Sequence, residues 1–253
     1  MYEERPSRVP GAVVWSQAAK PPGTRGRVLP DGCMDLLLWN GELVVAGPDT
    51  RAHVSVERLG EPVTGLRLRP GAGPRVFGVH AHELRDQRVP LSAVWPEREV
   101  RELAERIAGA ADPAGVLEAV AQRRLRTHER EAADPRAAAL ADAVVAALRQ
   151  GASVTRAAAG VSLSERQLHR RCLDAFGYGA KTLARVLRLQ AALSLAGAGN
   201  SLAGTALRAG YADQAHFSRE VKALAGVPVT ELLRPVPLRP PSEPDLPKSR
   251  SDG

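Results

Sequence analysis

Cysteine, aromatic residues and long apolar runs are all scarce in this sequence of 253 residues, and each scarcity removes a class of protein. Only Cys33 and Cys172 occur, far apart and in no CxxC pair. Neither a zinc ribbon nor a disulfide framework can be built from them. Aromatic residues make up 4% of the chain, which argues against a carbohydrate groove or a surface built on stacking. No apolar stretch approaches the roughly 18 residues needed to cross a bilayer, so no membrane partner is expected. The opening residues, MYEERPSR, lead into no apolar signal core, and a cytoplasmic protein is expected. No Ser-His-Asp signature, P-loop or dinucleotide fingerprint is present. The chain is therefore not expected to be an enzyme, and no cofactor is called for.

What the chain does have is enough apolar material for a packed interior, 44% of its residues, and a formal charge of +7. Length suggests one large domain or two smaller ones. Of the 35 basic residues 31 are Arg, which could reflect genomic base composition. Their placement is more telling. Residues 1–110 carry 15 basic and 14 acidic residues, residues 111–150 carry 6 of each, and residues 235–253 carry 3 of each. Residues 151–234 carry 11 against 5. A basic excess confined to one third of the chain is the electrostatic footprint of a nucleic-acid-binding module.

The first ninety residues read as β-rich, a small barrel or sandwich of short strands. Apolar runs at Ala12–Trp15, Arg27–Leu29, Met34–Trp39, Glu42–Ala46, His53–Val56, Gly65–Leu68 and Arg75–Val79 are separated by Gly and Pro. Asn40-Gly41 is the strongest hairpin signal, because a type I′ turn needs positive φ at both positions. From Glu97 the period changes to that of a helix, with Val100, Leu103, Ala104 and Ile107 on one stripe. Asp112-Pro113 restarts a helix carrying Leu117, Val120, Ala121 and Leu125. Asp134-Pro135 caps a third, running to about Arg149 and ended by Gly151. The spacing thus predicts a β-rich domain over 1–95, a helical connector over 96–133, and an all-α module over 134–234. The last segment, 235–253, holds six prolines and reads as a disordered tail.

The all-α module contains an internal repeat. Residues 166–183 read RQLHRRCLDAFGYGAKTL and residues 215–232 read AHFSREVKALAGVPVTEL. At an offset of 49, Arg170 meets Arg219, Gly177 meets Gly226 and Leu183 meets Leu232, while Leu168, Cys172 and Ala175 meet Phe217, Val221 and Leu224. A short Ala-rich helix and a turn precede each copy: Val154–Val161 with Ser162-Leu163-Ser164, and Leu202–Ala209 with Gly210-Tyr211-Ala212-Asp213. Short helix, tight turn and longer helix make a helix-turn-helix unit. Ser164 and Asp213 stand at the N-caps of the longer helices, and Gln167 completes a capping box with Ser164. Each longer helix has one apolar stripe and an outer face carrying Arg166, His169 and Arg170, or Arg219 and Lys222. Such a helix suits the major groove, where Arg reads guanine bidentately.

These segments, GVSLSERQLHRRC…FG and GYADQAHFSREVKALAGVPVTELLR, resemble the DNA-binding domain of AraC-type transcription regulators over roughly residues 134–234. The resemblance implies an α+β protein: a β-rich N-terminal domain, cupin-like in many members, ahead of two helix-turn-helix units. It implies sequence-specific binding to double-stranded DNA through Arg166, Gln167, His169 and Arg170 in the first unit and Gln214, Ser218, Arg219 and Lys222 in the second. Arg171, Lys181, Arg185, Arg188 and Lys222 could hold phosphates or simply solubilise the surface. The family's N-terminal domains often bind a small-molecule effector or mediate dimerisation, which makes an effector, a homodimer partner and RNA polymerase further partners to consider. LPDGCMDLLLW, VAGPDT and HELRDQRVPLSAVWP resemble a domain of unknown function in some actinobacterial regulators of this type. One departure is visible. The family usually has Gly in the first turn, where this chain has Ser162, at a cost of about 1 kcal/mol. That predicts a first unit that is looser or wound differently.

Three other groups have plainer readings. His80, His82 and Glu83, with His53 as a third imidazole, invite a metal, but the fuller metal-binding pattern is missing and a surface cluster is simpler. Cys33 reads as a core residue, since no basic group adjoins it to make a thiolate. Asp31 and Asp35 read as turn and strand-start residues rather than paired catalytic carboxylates. A metal-dependent enzyme and a nonspecific architectural DNA binder are the alternatives to a regulator. No metal is expected, and the duplicated reading helices favour sequence readout.

Overall fold

The computed structural model describes residues 1–56, 60–131 and 136–234. The expected disordered tail, 235–253, and the Asp134-Pro135 cap lie outside them.

Eight strands occur among the described residues: β1 (Tyr2–Pro6), β2 (Val13–Gln17), β3 (Arg25–Val28), β4 (Met34–Trp39), β5 (Glu42–Ala46), β6 (His53–Val56), β7 (Val63–Leu68) and β8 (Arg88–Pro90). Six form an antiparallel sheet in the order β1-β2-β7-β4-β5-β8, and β3 and β6 pair as a separate two-stranded ribbon. β4 and β5 meet at Asn40-Gly41, whose φ values of 51° and 74° are those of the expected turn. The sheet stays open, with β1 and β8 as its edges, so a closed barrel gives way to a sheet with a ribbon across one face. Pairing aligns Val14, Leu66, Leu36 and Val45 in one row, all buried. The next row on the opposite face carries Arg67, Asp35 and Ala46. The period of two separates the faces, one for a core and one for a cavity.

Three helices cover the first face: α1 (Gly73–Phe77), α2 (Glu97–Ala108) and α3 (Pro113–Glu131). Leu103, Ile107, Leu117, Val120 and Ala121 share one buried core with the strands. The segment read as a connector is thus built into the N-terminal domain. α1 replaces the strand expected at Arg75–Val79. Pro74 sits in its first turn, where its fixed φ suits a helix, and Gly78 ends it at φ 79°. An apolar run this short fits either period, so sequence alone could not separate them. β1 and β8 went unseen because neither shows apolar alternation; β1 is exposed along its whole length.

The remaining helices are α4 (Ala137–Arg149), α5 (Val154–Gly160), α6 (Glu165–Phe176), α7 (Ala180–Gly197), α8 (Leu202–Arg208), α9 (Gln214–Ala225) and α10 (Val229–Leu232). They build two cores. Leu168, Cys172 and Phe176 of α6 join Val144, Val145 and Leu148 of α4 in the first. Phe217, Val221 and Leu224 of α9 join Tyr211 and Val229 in the second. α7 belongs to both, giving Leu183, Val186 and Leu187 to the first and Leu189 and Ala192 to the second. Leu193 packs at the margin of the second core, and Leu189 carries the buried role there.

Candidate nucleic-acid interface

The two units are wound alike. Ser164 accepts from the Gln167 N–H at 3.3 Å and Gln167 Oε1 accepts from the Ser164 N–H at 2.9 Å, closing the capping box of α6. Asp213 accepts from the His216 N–H at 2.6 Å and caps α9. Both helices end on a left-handed glycine, Gly177 at φ 81° and Gly226 at φ 75°. The turns also correspond. Leu163 N–H donates to the Ala158 carbonyl, and Tyr211 N–H to the Ala206 carbonyl, at 3.0 and 2.9 Å. Ser162 takes φ 57°, matching Gly210 at 78°. The first turn is therefore not wound differently, as its serine had led us to expect; Ser162 accepts the left-handed backbone. Ala212 is the one extra residue in the second turn.

The expected reading residues lie where helical spacing put them. Arg166, Gln167, His169 and Arg170 are exposed on α6, opposite the buried Leu168 and Cys172. Gln214, Arg219 and Lys222 are exposed on α9, and Ser218 is half-buried between them. Among the described residues, Arg166, Arg170 and Arg219 have no hydrogen-bond or ion-pair partner within the chain. Gln167 is different, since its carbonyl oxygen is engaged in the cap. His169 leans on the backbone of Gly179, where a β-carbon would stand 2.5 Å from its Nδ1.

Between the units lies a cleft lined by Ser153, Lys181, Arg185, Arg188, His216 and Glu220, with a volume of about 450 Å³. Two of its cations are committed internally. Arg185 pairs with Glu220 of α9 at 2.9 Å, and Arg188 lies over the Tyr211 ring at 5.4 Å. Both tie α7 to the second unit. Sequence reasoning left Glu220 out because the pairing joins residues 35 positions apart on different helices.

The N-terminal domain holds both longer helices by their C-terminal ends. The Gly177 carbonyl accepts from Arg85 at 3.4 Å, and Ala225 and Leu224 accept from Arg27 and from the Ala52 N–H at 2.5 and 2.6 Å. A β-carbon on Gly177 would stand 2.6 Å from Pro48, so glycine serves both the left-handed cap and the close approach. The exposed residues of α6 and α9 named above are left clear.

The remaining candidates fall elsewhere. His80 and His82 flank the start of a short 3-10 helix (Ala81–Leu84), with rings stacked at 5.5 Å and Nδ1 atoms 3.7 and 3.6 Å from Asp174 of α6. Glu83 accepts from the His80 N–H, and His53 lies apart in the ribbon. No group of three or more potential metal ligands occurs among the described residues. Burial pushes both thiols up, Cys172 to about 12, so neither is a ready nucleophile. Asp31 accepts from the Cys33 N–H in a turn.

Duplicated, capped helix-turn-helix units on a shared helix define a DNA-binding protein. Residues 157–235 match the family described as a helix-turn-helix domain, and residues 12–90 match a domain of unknown function, DUF6597. The chain carries an AraC-type helix-turn-helix domain behind DUF6597 and is a DNA-binding transcription regulator. No curated protein sequence matches it. Among solved structures, one of ToxT from Vibrio cholerae O395 is 11% identical, covering 87% of this chain and 95% of that one, with a TM-score of 0.46. A second ToxT structure from Vibrio cholerae is 10% identical over 91% and 97%, at 0.45. ToxT with a bound unsaturated fatty acid is 12% identical over 87% and 90%, at 0.40. No described helix is long and apolar enough to cross a membrane.

Proposed function

We propose that this regulator acts in the cytoplasm and reads two adjacent major grooves, with α6 in one and α9 in the next. The observation that supports this most directly is the pair of matched outer faces. Each presents arginines without intramolecular partners, Arg166 and Arg170 on α6 and Arg219 on α9, beside a rigid mutual anchor, α7. Gln167, His169, Gln214, Ser218 and Lys222 complete the surface, with Gln167 restricted to its amide N–H donors by the cap. Residues 134–234 form the DNA-binding module, and residues 1–131 form a control domain that responds to an effector. One protomer presents both reading helices, so this reading requires no homodimer.

Arg170→Ala and Arg219→Ala should each weaken binding to the cognate site by about 1–3 kcal/mol and binding to random DNA much less. Fluorescence anisotropy on both duplexes measures this. Equal losses on cognate and random DNA would reduce both residues to phosphate contacts.

A further inference from the structure

The cleft between the two units, about 450 Å³ in volume, carries more positive charge than it neutralises. Its floor is one face of α7, where Lys181, Arg185 and Arg188 follow the i, i+4, i+7 spacing. One wall is Ser153, at the start of α5, and the other is His216 and Glu220 of α9. Three cations thus face one carboxylate.

Glu220 is neutralised by Arg185, whose Nε donates at 3.0 Å and whose Nη2 lies 2.9 Å away. Lys181 is exposed and has no hydrogen-bond or ion-pair partner among the described residues. Arg188 lies over the Tyr211 ring at 5.4 Å. That contact orients the guanidinium and leaves its charge and its N–H donors unclaimed. His216 Nδ1 accepts from the Ala212 N–H at 3.3 Å, so the ring N–H lies on Nε2. Ser153 Oγ accepts from the Arg156 N–H at 3.2 Å, and its hydroxyl hydrogen stays available. The groups left over are all donors, two of them charged. They match an anion with several acceptor oxygens.

The position of the cleft selects the anion. In a helix-turn-helix unit the second helix enters the groove and the first crosses the backbone. Ser153 begins the first helix of one unit, and His216 stands between Gln214 and Arg219 on the second helix of the other. At the far end, Lys181 follows Gly179 by two residues, and His169 of α6 rests on Gly179. The cleft therefore spans the interval from one reading face to the other. With α6 and α9 in successive major grooves, that interval lies over the minor groove, which the two phosphate backbones border.

Resting on the two-groove reading above, we propose that this cleft seats a phosphodiester of the DNA backbone between the two grooves. Lys181 and Arg188 hold its oxygens, His216 Nε2 and the Ser153 hydroxyl add donors, and Arg185 stays with Glu220 as part of the frame. The site reads no base. Gripping the backbone midway fixes the register at which both helices enter together.

Duplexes carrying one neutral methylphosphonate, walked along both strands between the two footprinted elements, test the site with the full chain. One or two positions in that interval should weaken the native protein by about threefold or more, and should change Lys181→Gln by less than about twofold because its contact is already gone. Lys181→Gln and Arg188→Gln should each weaken cognate and random DNA in equal proportion and lower the slope of log affinity against log salt by about 1. Arg188→Lys keeps the charge and should retain the native slope, which separates a lost phosphate contact from lost packing on Tyr211. An interval in which no position matters, equal sensitivity in the native and Lys181→Gln chains, or an unchanged salt slope would overturn the proposal. An indifferent interval together with Lys181-dependent binding of inorganic phosphate would assign the cleft to a free anion instead. Failure of the native chain to protect two elements would overturn the two-groove reading and the cleft with it. Two protected elements with an indifferent interval would overturn the cleft alone.

Discussion

Glu118 is 1% exposed, yet it is ionised and fully engaged. Arg5 donates to both of its oxygens at 3.1 and 3.0 Å, and Ser7 Oγ and the Arg8 N–H add two bonds at 2.7 Å. Burial alone would raise its pKa; these bonds outweigh it and hold the carboxyl down at about 2. They fasten the edge strand β1 to α3. Because the folded pKa lies below the unfolded value, the contribution is present above about pH 4 and is lost as pH falls toward 2. Glu118→Gln should cost about 2–3 kcal/mol near neutrality and flatten the acid limb of stability, measured by urea denaturation between pH 3 and 7. An unchanged midpoint at pH 7 would show that β1 is held by its backbone pairing alone. Sequence could not reveal this residue, because its partners lie more than a hundred positions away and a glutamate on a helix ordinarily faces water. Asn40-Gly41 was legible for the opposite reason: the turn depends on two adjacent residues and on nothing distant.

At the level of elements, the helix-turn-helix units were the most readable part of the chain. Caps at Ser164 and Asp213, glycine ends at Gly177 and Gly226 and the apolar stripes of α6 and α9 are all local signals. The N-terminal domain was less readable, since its short strands take their identity from neighbours across the sheet. β1 and the helix α1 were misjudged for that reason. The turn at Ser162 carries the sharpest prediction at this scale. Its φ of 57° is one that glycine adopts freely and serine does not. Ser162→Gly should stabilise the protein by up to about 1 kcal/mol, seen as a higher thermal midpoint, with the capping box intact. A lower midpoint would mean that the gain in unfolded-chain freedom exceeds the strain relieved.

For the whole molecule, the proposed two-groove reading turns on how firmly α6 and α9 are held relative to each other. α7 is 18 residues, about 27 Å at 1.5 Å per residue, and it is buried in both cores. Arg185–Glu220 and Arg188–Tyr211 bind it to the second unit, and the N-terminal domain holds the ends of both α6 and α9. Successive major grooves on one face of B-DNA lie about 34 Å apart, a span that this strut and the offsets of its two helices can bridge. One protomer should then protect two short elements about 10 base pairs apart in an asymmetric site. The direct measurement is affinity for that site after 5 base pairs are inserted between the elements, which turns the second to the far side of the duplex. High-affinity binding should be lost, falling by about a hundredfold or more toward that of a single unit. Affinity within about twofold of the uninterrupted site would contradict the rigid bipartite account.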